Sequence, residues 1–435
     1  MQIPLSLATF PEPFPQSLEF NPPCRGPWNI VHMALQLPET HLIYVCARGC
    51  LRGVVMTAHE MGAAKRMSSI GIQEADLSLG TLFDTTYNGI KHILEKRSSL
   101  PKQVILSLSC VQQFSHFDYP SLIKRLQTRF PEITFIDCCM MPTMRKSGPN
   151  DEQRTKAKMY DGIKPVSAPE KNSISIIGME QNLHECLLLS ILRENGYTIR
   201  SLPLCKTYTD YQELGKSKTM LTLSDDAFLA GQQLATRMNA NHIHLPIRYT
   251  PDAILEDLNT LIHTLKLTVD PKKLEQAKIF ALTSLKKAAD SLSKTPLALD
   301  YTFAPRTLNL AKLLLECGFS LTTLYLDAFN SAEEADFKDL QKYPLTLVQT
   351  VAPLRTYPAP THTLCLGQKA AYFSGSTHFV NCVGGGGLCD FSGLSTLADL
   401  IMDAHTKPKN LRQTLLHKGL GLPSFITQPL WDYHA

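Results

Sequence analysis

Short apolar, β-branched runs alternate along the chain with longer stretches of helical periodicity. The runs are 41–47 (HLIYVCA), 103–109 (QVILSLS), 133–138 (ITFIDC), 173–178 (SISIIG), 219–223 (TMLTL), 321–326 (LTTLYL) and 345–351 (LTLVQTV). Their near-continuous hydrophobicity predicts strands covered on both faces, and the alternation predicts βαβ units with mainly parallel sheets. A helix-to-strand passage occurs twice: from Leu187-Leu188-Leu189 through Gly196 to Tyr197-Thr198-Ile199, and from Leu313-Leu314-Leu315 through Gly318 to Phe319-Ser320-Leu321. Each glycine falls where a helix end needs a left-handed residue before the next strand, which predicts repeated Rossmann-like domains.

Two boundaries follow. Arg145 to Asn172 is rich in charge, proline and glycine and lacks apolar periodicity, so it reads as a linker. A helical stretch from Pro271 to Lys294, with Pro296 beyond it, marks the second. The expected fold is α/β with three Rossmann-like domains, at 1–167, 168–294 and 295–435.

Composition narrows the function. Charged residues are 19% and hydrophobic ones 44% of the 435, and the formal charge is only +4, with basic residues spread along the chain. No nucleic-acid footprint is present in that pattern. The first residues carry no basic segment, and Pro4, Pro11, Pro13 and Pro15 break any apolar run, so no signal peptide is read. No run approaches the length of a membrane span. Twelve cysteines in such a chain predict a cytoplasmic protein whose thiols serve metal, redox or packing roles.

Several motifs are incomplete. Cys46 and Cys50 invite a three-cysteine cluster motif, but position 53 is Gly; Gly215-Lys216-Ser217 resembles the end of a P-loop, but Asp210 stands at the first-glycine position. His59-Glu60 has Ala63 where a zincin needs a second histidine. His242 and His244 share one face of a strand, as metal ligands or as a solvated strand end. What remains is Cys24, after Pro22-Pro23, Cys50, after Gly49, and Cys110, at the end of a strand. Cysteines at strand carboxyl ends converge on the crevice where open α/β sheets bind ligands, and thiolates ligate iron–sulfur clusters; core packing is the other reading of the same residues. Cys46, within a strand, is expected to pack in the core.

Cys24 after its proline turn, Gly49-Cys50, the segment Glu74-Ala75-Asp76-Leu77-Ser78-Leu79-Gly80, Ser109-Cys110 and Cys138 occur in that order, followed by Ile176-Ile177-Gly178, Pro305-Arg306 and Asp390-Phe391-Ser392-Gly393. In this the chain resembles the nitrogenase component 1 family, which includes nitrogenase itself, cofactor-assembly scaffolds and dark-operative tetrapyrrole reductases. The resemblance implies three domains around a central cleft and an iron–sulfur cluster, a 4Fe-4S cubane or a larger bridging cluster, held by Cys24, Cys50 and Cys110 at a subunit interface. It further implies a homologous or identical partner subunit, a separate ATP-dependent iron–sulfur reductase as electron donor, and a small-molecule substrate in the cleft; a non-enzymatic assembly scaffold is the alternative. A cluster-free α/β binding protein using the glycine-rich segment is a further one.

Four further features carry expectations. Glu74 and Asp76 would share one face of an extended segment, with Gly80 at positive φ before a helix near Thr81. Gly384, Gly385, Gly386 and Gly387 either bring backbone N–H groups to a bound group or form a close-packed crossing before a helix near Gly393. Asp225 and Asp226 open a helix running to Met238, as caps or, given the family's cavity, as proton donors. The family's molybdenum–iron cofactor is held by a cysteine near a second-domain helix start and a histidine just before an Asp-aromatic-Ser-Gly segment. Here Asp225 to Phe228 contains no Cys, and Gly387 stands three before Asp390, so that cofactor is not expected; Cys389 is free to ligate something else.

Overall fold

The computed structural model describes residues 1–15, 22, 24, 30–139, 149–179, 181–351 and 362–416. Its strands are β1 (Gln2–Pro4), β2 (Thr40–Ala47), β3 (Met67–Ile72), β4 (Gln103–Leu108), β5 (Thr134–Cys139), β6 (Glu170–Ile177), β7 (Thr198–Ser201), β8 (Ser217–Thr222), β9 (Asn241–His244), β10 (Leu297–Asp300), β11 (Leu321–Tyr325), β12 (Thr346–Val348), β13 (Leu364–Leu366) and β14 (Phe379–Val380). They form three sheets, in the orders β3-β2-β4-β5, β7-β6-β8-β9 and β1-β12-β11-β10-β13-β14. Every pairing is parallel except that of β1 with β12 at one edge of the third sheet. The expected α/β architecture with mainly parallel sheets is the one observed.

The chain divides into two compact units, one from the described parts of Met1–Pro27, Leu183–Gly196 and Ile247–Pro423, the other from those of Trp28–Asn182 and Tyr197–Pro246. The second unit contains the first two sheets. Its β2 and β4 are buried almost throughout, because residues covered on both faces must be apolar on both. Ile43, Val45, Leu106 and Leu108 pack there with Ile90 and Leu122 from flanking helices. In the first unit, the long helix Pro271–Leu292 packs against helix Asp390–Thr406.

Two expectations are corrected in this second unit. The segment read as a linker contains helix Asp151–Lys158, closed by a reciprocal cap in which Asn150 accepts from the Gln153 amide and Gln153 accepts from that of Asn150; residues 140–148 lie outside those described. Its eight mostly charged residues show little apolar periodicity, yet Thr155, Lys156 and Ala157 are buried. Glu74 and Asp76 stand on a short helix, Glu74–Ser78, and not on an extended segment. Asp76 caps it, accepting from the Gln73 amide at 2.8 Å and from Thr85 at 2.6 Å, and the Thr85 hydroxyl leads in holding its carboxyl below the ordinary range. Gly80 does take a positive φ, +70°, and the next helix starts at Leu82.

One buried base sets an acid limit on stability. His41 is 1% exposed; burial first, then Arg97 and Arg66, lower its pKa to about 4, so the folded ring is neutral while an unfolded one titrates near 6.5. The unfolded chain therefore binds the extra proton between those values, and stability is full above pH 6.5 and falls as pH drops toward 4. The loss between pH 7 and pH 5 is about 2 kcal/mol from this group. Urea midpoints at the two pH values for wild type and His41→Gln check this: the variant should lose less on acidification, and an equal loss would remove His41 as the cause.

Candidate functional site

Parallel β2 and β4 lie side by side, with Val45 beside Leu108, so their carboxyl ends release the chain at one edge of the sheet. From β2 the chain passes through a tight turn, Arg48–Cys50, into helix Leu51–Glu60, and Cys50 is that helix's N-cap. From β4 it passes through the N-cap Ser109 into helix Cys110–Phe114. Cys50 is exposed and Cys110 half-buried, and neither thiol has a hydrogen-bond partner among the described residues. Cys46, fully buried in β2, lies within electrostatic reach of both: its pKa is raised to about 11, by burial first and then by Cys50 and Cys110. Cys138, in β5, is buried and sits beside Ser107 in register.

Cys24 belongs to the other unit. It is buried, its Sγ donates weakly to the Gln368 carbonyl at 3.6 Å, and burial, with Asp300 adding, pushes the thiol up to about 12. Cys50 and Cys110 are two unpartnered, accessible sulfurs at the carboxyl ends of adjacent strands, Cys50 at the start of a helix whose dipole favours thiolate, the donor type that iron–sulfur clusters take. Cys24 offers a buried sulfur, with the buried Asp300 and Lys369 among its charged neighbours.

A pair of thiols with a carboxylate beside it lies in the first unit, joining Cys389 to Cys186, a residue the sequence does not single out. Cys186 is the N-cap of helix Leu187–Glu194, and Cys389 that of helix Asp390–Thr406, which begins three residues before the expected Gly393. The two helices pack together, bringing residues 203 positions apart to an Sγ–Sγ distance of 3.4 Å. Asp390 Oδ2 is 3.8 Å from the Cys389 sulfur. That carboxylate also accepts from the amides of Leu188 and Ser392, each at 2.8 Å, so it caps both helices at once. Sequence separation hid the pair; the only available signal was the departure of Cys389 from the family's pattern.

The four glycines just before it all take positive φ, from +59° to +79°. The amides of Gly384 and Gly385 donate to Thr302 and Phe303 carbonyls, each at 2.7 Å, and Gly386 donates to Val383. Three of the four N–H groups are thus engaged within the protein, as in a close-packed crossing. The turn also borders a pocket lined by Tyr249, Phe303, Gly385, Cys389 and Asp390, among others. A Cβ on Gly385 would lie 3.5 Å from the Tyr249 hydroxyl, itself buried and without a hydrogen-bond partner among the described residues.

Asp225 and Asp226 occupy a tight turn, Asp225–Ala227, ahead of helix Phe228–Met238. This turn passes so close to Gly178 that a Cβ there would lie 2.3 Å from that of Ala227. Asp225 is 3.6 Å from His244, and Asp226 accepts from Asn150 at 3.5 Å. His242 and His244 do share a face; the Thr222 hydroxyl engages one nitrogen of each at 2.9 Å, and both rings pack against Phe228.

Repeated parallel sheets, with cysteines where strands give way to helices, define an α/β protein of the kind that gathers ligands at the carboxyl ends of its strands. Residues 28–352 match the model of the nitrogenase component 1 type oxidoreductases, and the chain belongs to that family. Two solved structures described as nitrogenase Cp1, at pH 6.5 and at pH 5, share the fold. The first has a TM-score of 0.67 at 14% identity, covering 90% of this chain and 94% of its own; the second has 0.55 at 12%, covering 90% and 92%. No curated protein matches the chain.

Proposed function

We propose that this chain is the cluster-bearing subunit of a two-component reductase. It would receive low-potential electrons from an ATP-dependent iron–sulfur reductase and pass them to a small-molecule substrate. Cys24, Cys50 and Cys110 would hold the cluster, which supplies one-electron storage when bound. The observation that carries the reading is the state of Cys50 and Cys110: accessible, unpartnered thiols at the starts of two helices that also expose Met56, at 51%, and Phe114, at 59%. Apolar side chains left in water on the helices that carry unpartnered thiols are what a covering subunit would bury. Leu77 and Leu79 add to the exposed apolar surface of this unit. The covering subunit would be a homologous or identical chain.

The chain's own part is ligation and tuning, through burial and hydrogen bonding around the sulfurs. Nucleotide chemistry falls to the partner. Gly215 and Lys216 form a tight turn that leads into β8, with Lys216 paired to Glu213 at 2.8 Å, whereas a P-loop leads from a strand into a helix. The test is ATP hydrolysis by the purified chain, with and without an added iron–sulfur reductase of this class. Hydrolysis coupled to substrate reduction is expected only with the reductase. Turnover by the chain alone would contradict the assignment, and retention and hand-over of a cofactor precursor without reduction would mark a scaffold instead.

A further inference from the structure

We propose that Cys186, Cys389 and Asp390 form a mononuclear site for a d10 cation of the zinc class, held by two thiolates and a carboxylate, with its fourth position open to the pocket lined by Tyr249. The three ligand atoms lie within 4.8 Å of one another. Two thiolates at about 2.3 Å from a tetrahedral ion stand about 3.8 Å apart, and a thiolate and a carboxylate oxygen about 3.5 Å. The Cys186–Cys389 and Cys389–Asp390 separations are 3.4 Å and 3.8 Å, so these two need only a few tenths of an ångström, and Cys186 and Asp390 lie within 4.8 Å of each other. A disulfide would need the sulfurs to close to about 2.05 Å, a much larger movement. The geometry therefore favours an ion over a bridge.

The surroundings fit as well. Both cysteines are fixed as helix N-caps, and Asp390, in a left-handed conformation with φ +50°, is oriented by the Leu188 and Ser392 amides, the kind of outer hydrogen bond that holds a metal-binding carboxylate. Metal binding releases the two thiol protons and leaves one net negative charge on a divalent site. That charge sits at the positive ends of two packed helices. Three protein ligands leave one place for a water or a small anion. Tyr249 is 6% exposed, and its unpartnered hydroxyl lines the same pocket as Cys389 and Asp390, where it can meet that fourth ligand.

This site is independent of the cluster at Cys50 and Cys110, so the test is made in the Cys50→Ala/Cys110→Ala chain, purified anaerobically and titrated with cobalt(II). One equivalent should bind with thiolate-to-cobalt charge transfer and be displaced by one equivalent of zinc. Adding Cys186→Ser/Cys389→Ser should abolish the band, and Tyr249→Phe should keep the metal while changing its visible d–d bands. X-ray absorption of the zinc-loaded parent should show two sulfurs at about 2.3 Å with lighter atoms completing the shell, and decides the matter if the serine variant does not fold. Absent binding, binding unaltered by the serine pair, or a shell with no sulfur or four would overturn the proposal; unchanged d–d bands in Tyr249→Phe would overturn its open position.

Discussion

Alanine at Cys50 or at Cys110 will remove most of the cluster iron from the anaerobically reconstituted protein, and alanine at Cys24 will do the same, whereas Cys46→Ala will not. A cluster held by few protein sulfurs loses an anchor with each, and Cys50 and Cys110 have no other partner among the described residues. Cys46 differs although it lies close by. It is fully buried within β2, ahead of the turn that carries Cys50, and belongs to the core. Losing its sulfur costs on the order of 1 kcal/mol of packing. Cys24 is the sterner trial, because it is buried as well and burial pushes its thiol up to about 12. Iron and sulfide per chain for the four variants decide it; wild-type iron in Cys24→Ala, Cys50→Ala and Cys110→Ala would sink the assignment.

Asp300→Ala will destabilise the first unit by about 3–5 kcal/mol, since it leaves three buried donors without an acceptor. Asp300 is fully buried at the end of central strand β10 and accepts from the Thr302 amide at 2.9 Å, the Thr302 hydroxyl at 2.6 Å and the Ala370 amide at 2.9 Å. Burial raises its pKa, and these donors oppose the rise. Asp300→Asn should recover only part of the loss, because its NH2 must face a donor. Gly367→Ala should fail similarly: φ is +107°, and a Cβ would lie 2.1 Å from an Asp300 carboxylate oxygen. Denaturant melts of the three variants test this. A loss under 1 kcal/mol for Asp300→Ala would mean that water or relaxation satisfies the donors.

What was readable from the sequence follows from how strongly each element advertises itself. β2, β4, β6 and β8 were found because strands covered on both faces collect long apolar runs. β3 was missed: Met67–Ile72 is an edge strand, partly exposed, with polar and glycine positions breaking the pattern. β10 was missed though central, because four residues of Leu, Ala, Leu and Asp carry no β-branched signal. Gly318 was placed correctly at a helix end, with φ +92°. The site was legible only where local order carried it. Cys50 and Cys110 could be placed at strand ends from neighbouring residues, whereas the Cys186–Cys389 contact depends on the packing of two helices far apart in the chain.

Metal and sulfide analysis of the complex purified anaerobically with its native partners tests the central claim most directly. Iron and acid-labile sulfide are expected in excess of what the reductase brings, the excess lost in the Cys50→Ala/Cys110→Ala complex, with no molybdenum or vanadium held by this chain, where Gly387 and residues 225–228 supply neither histidine nor cysteine. Iron and sulfide no higher than the reductase itself supplies, and unchanged by those two substitutions, would contradict the claim.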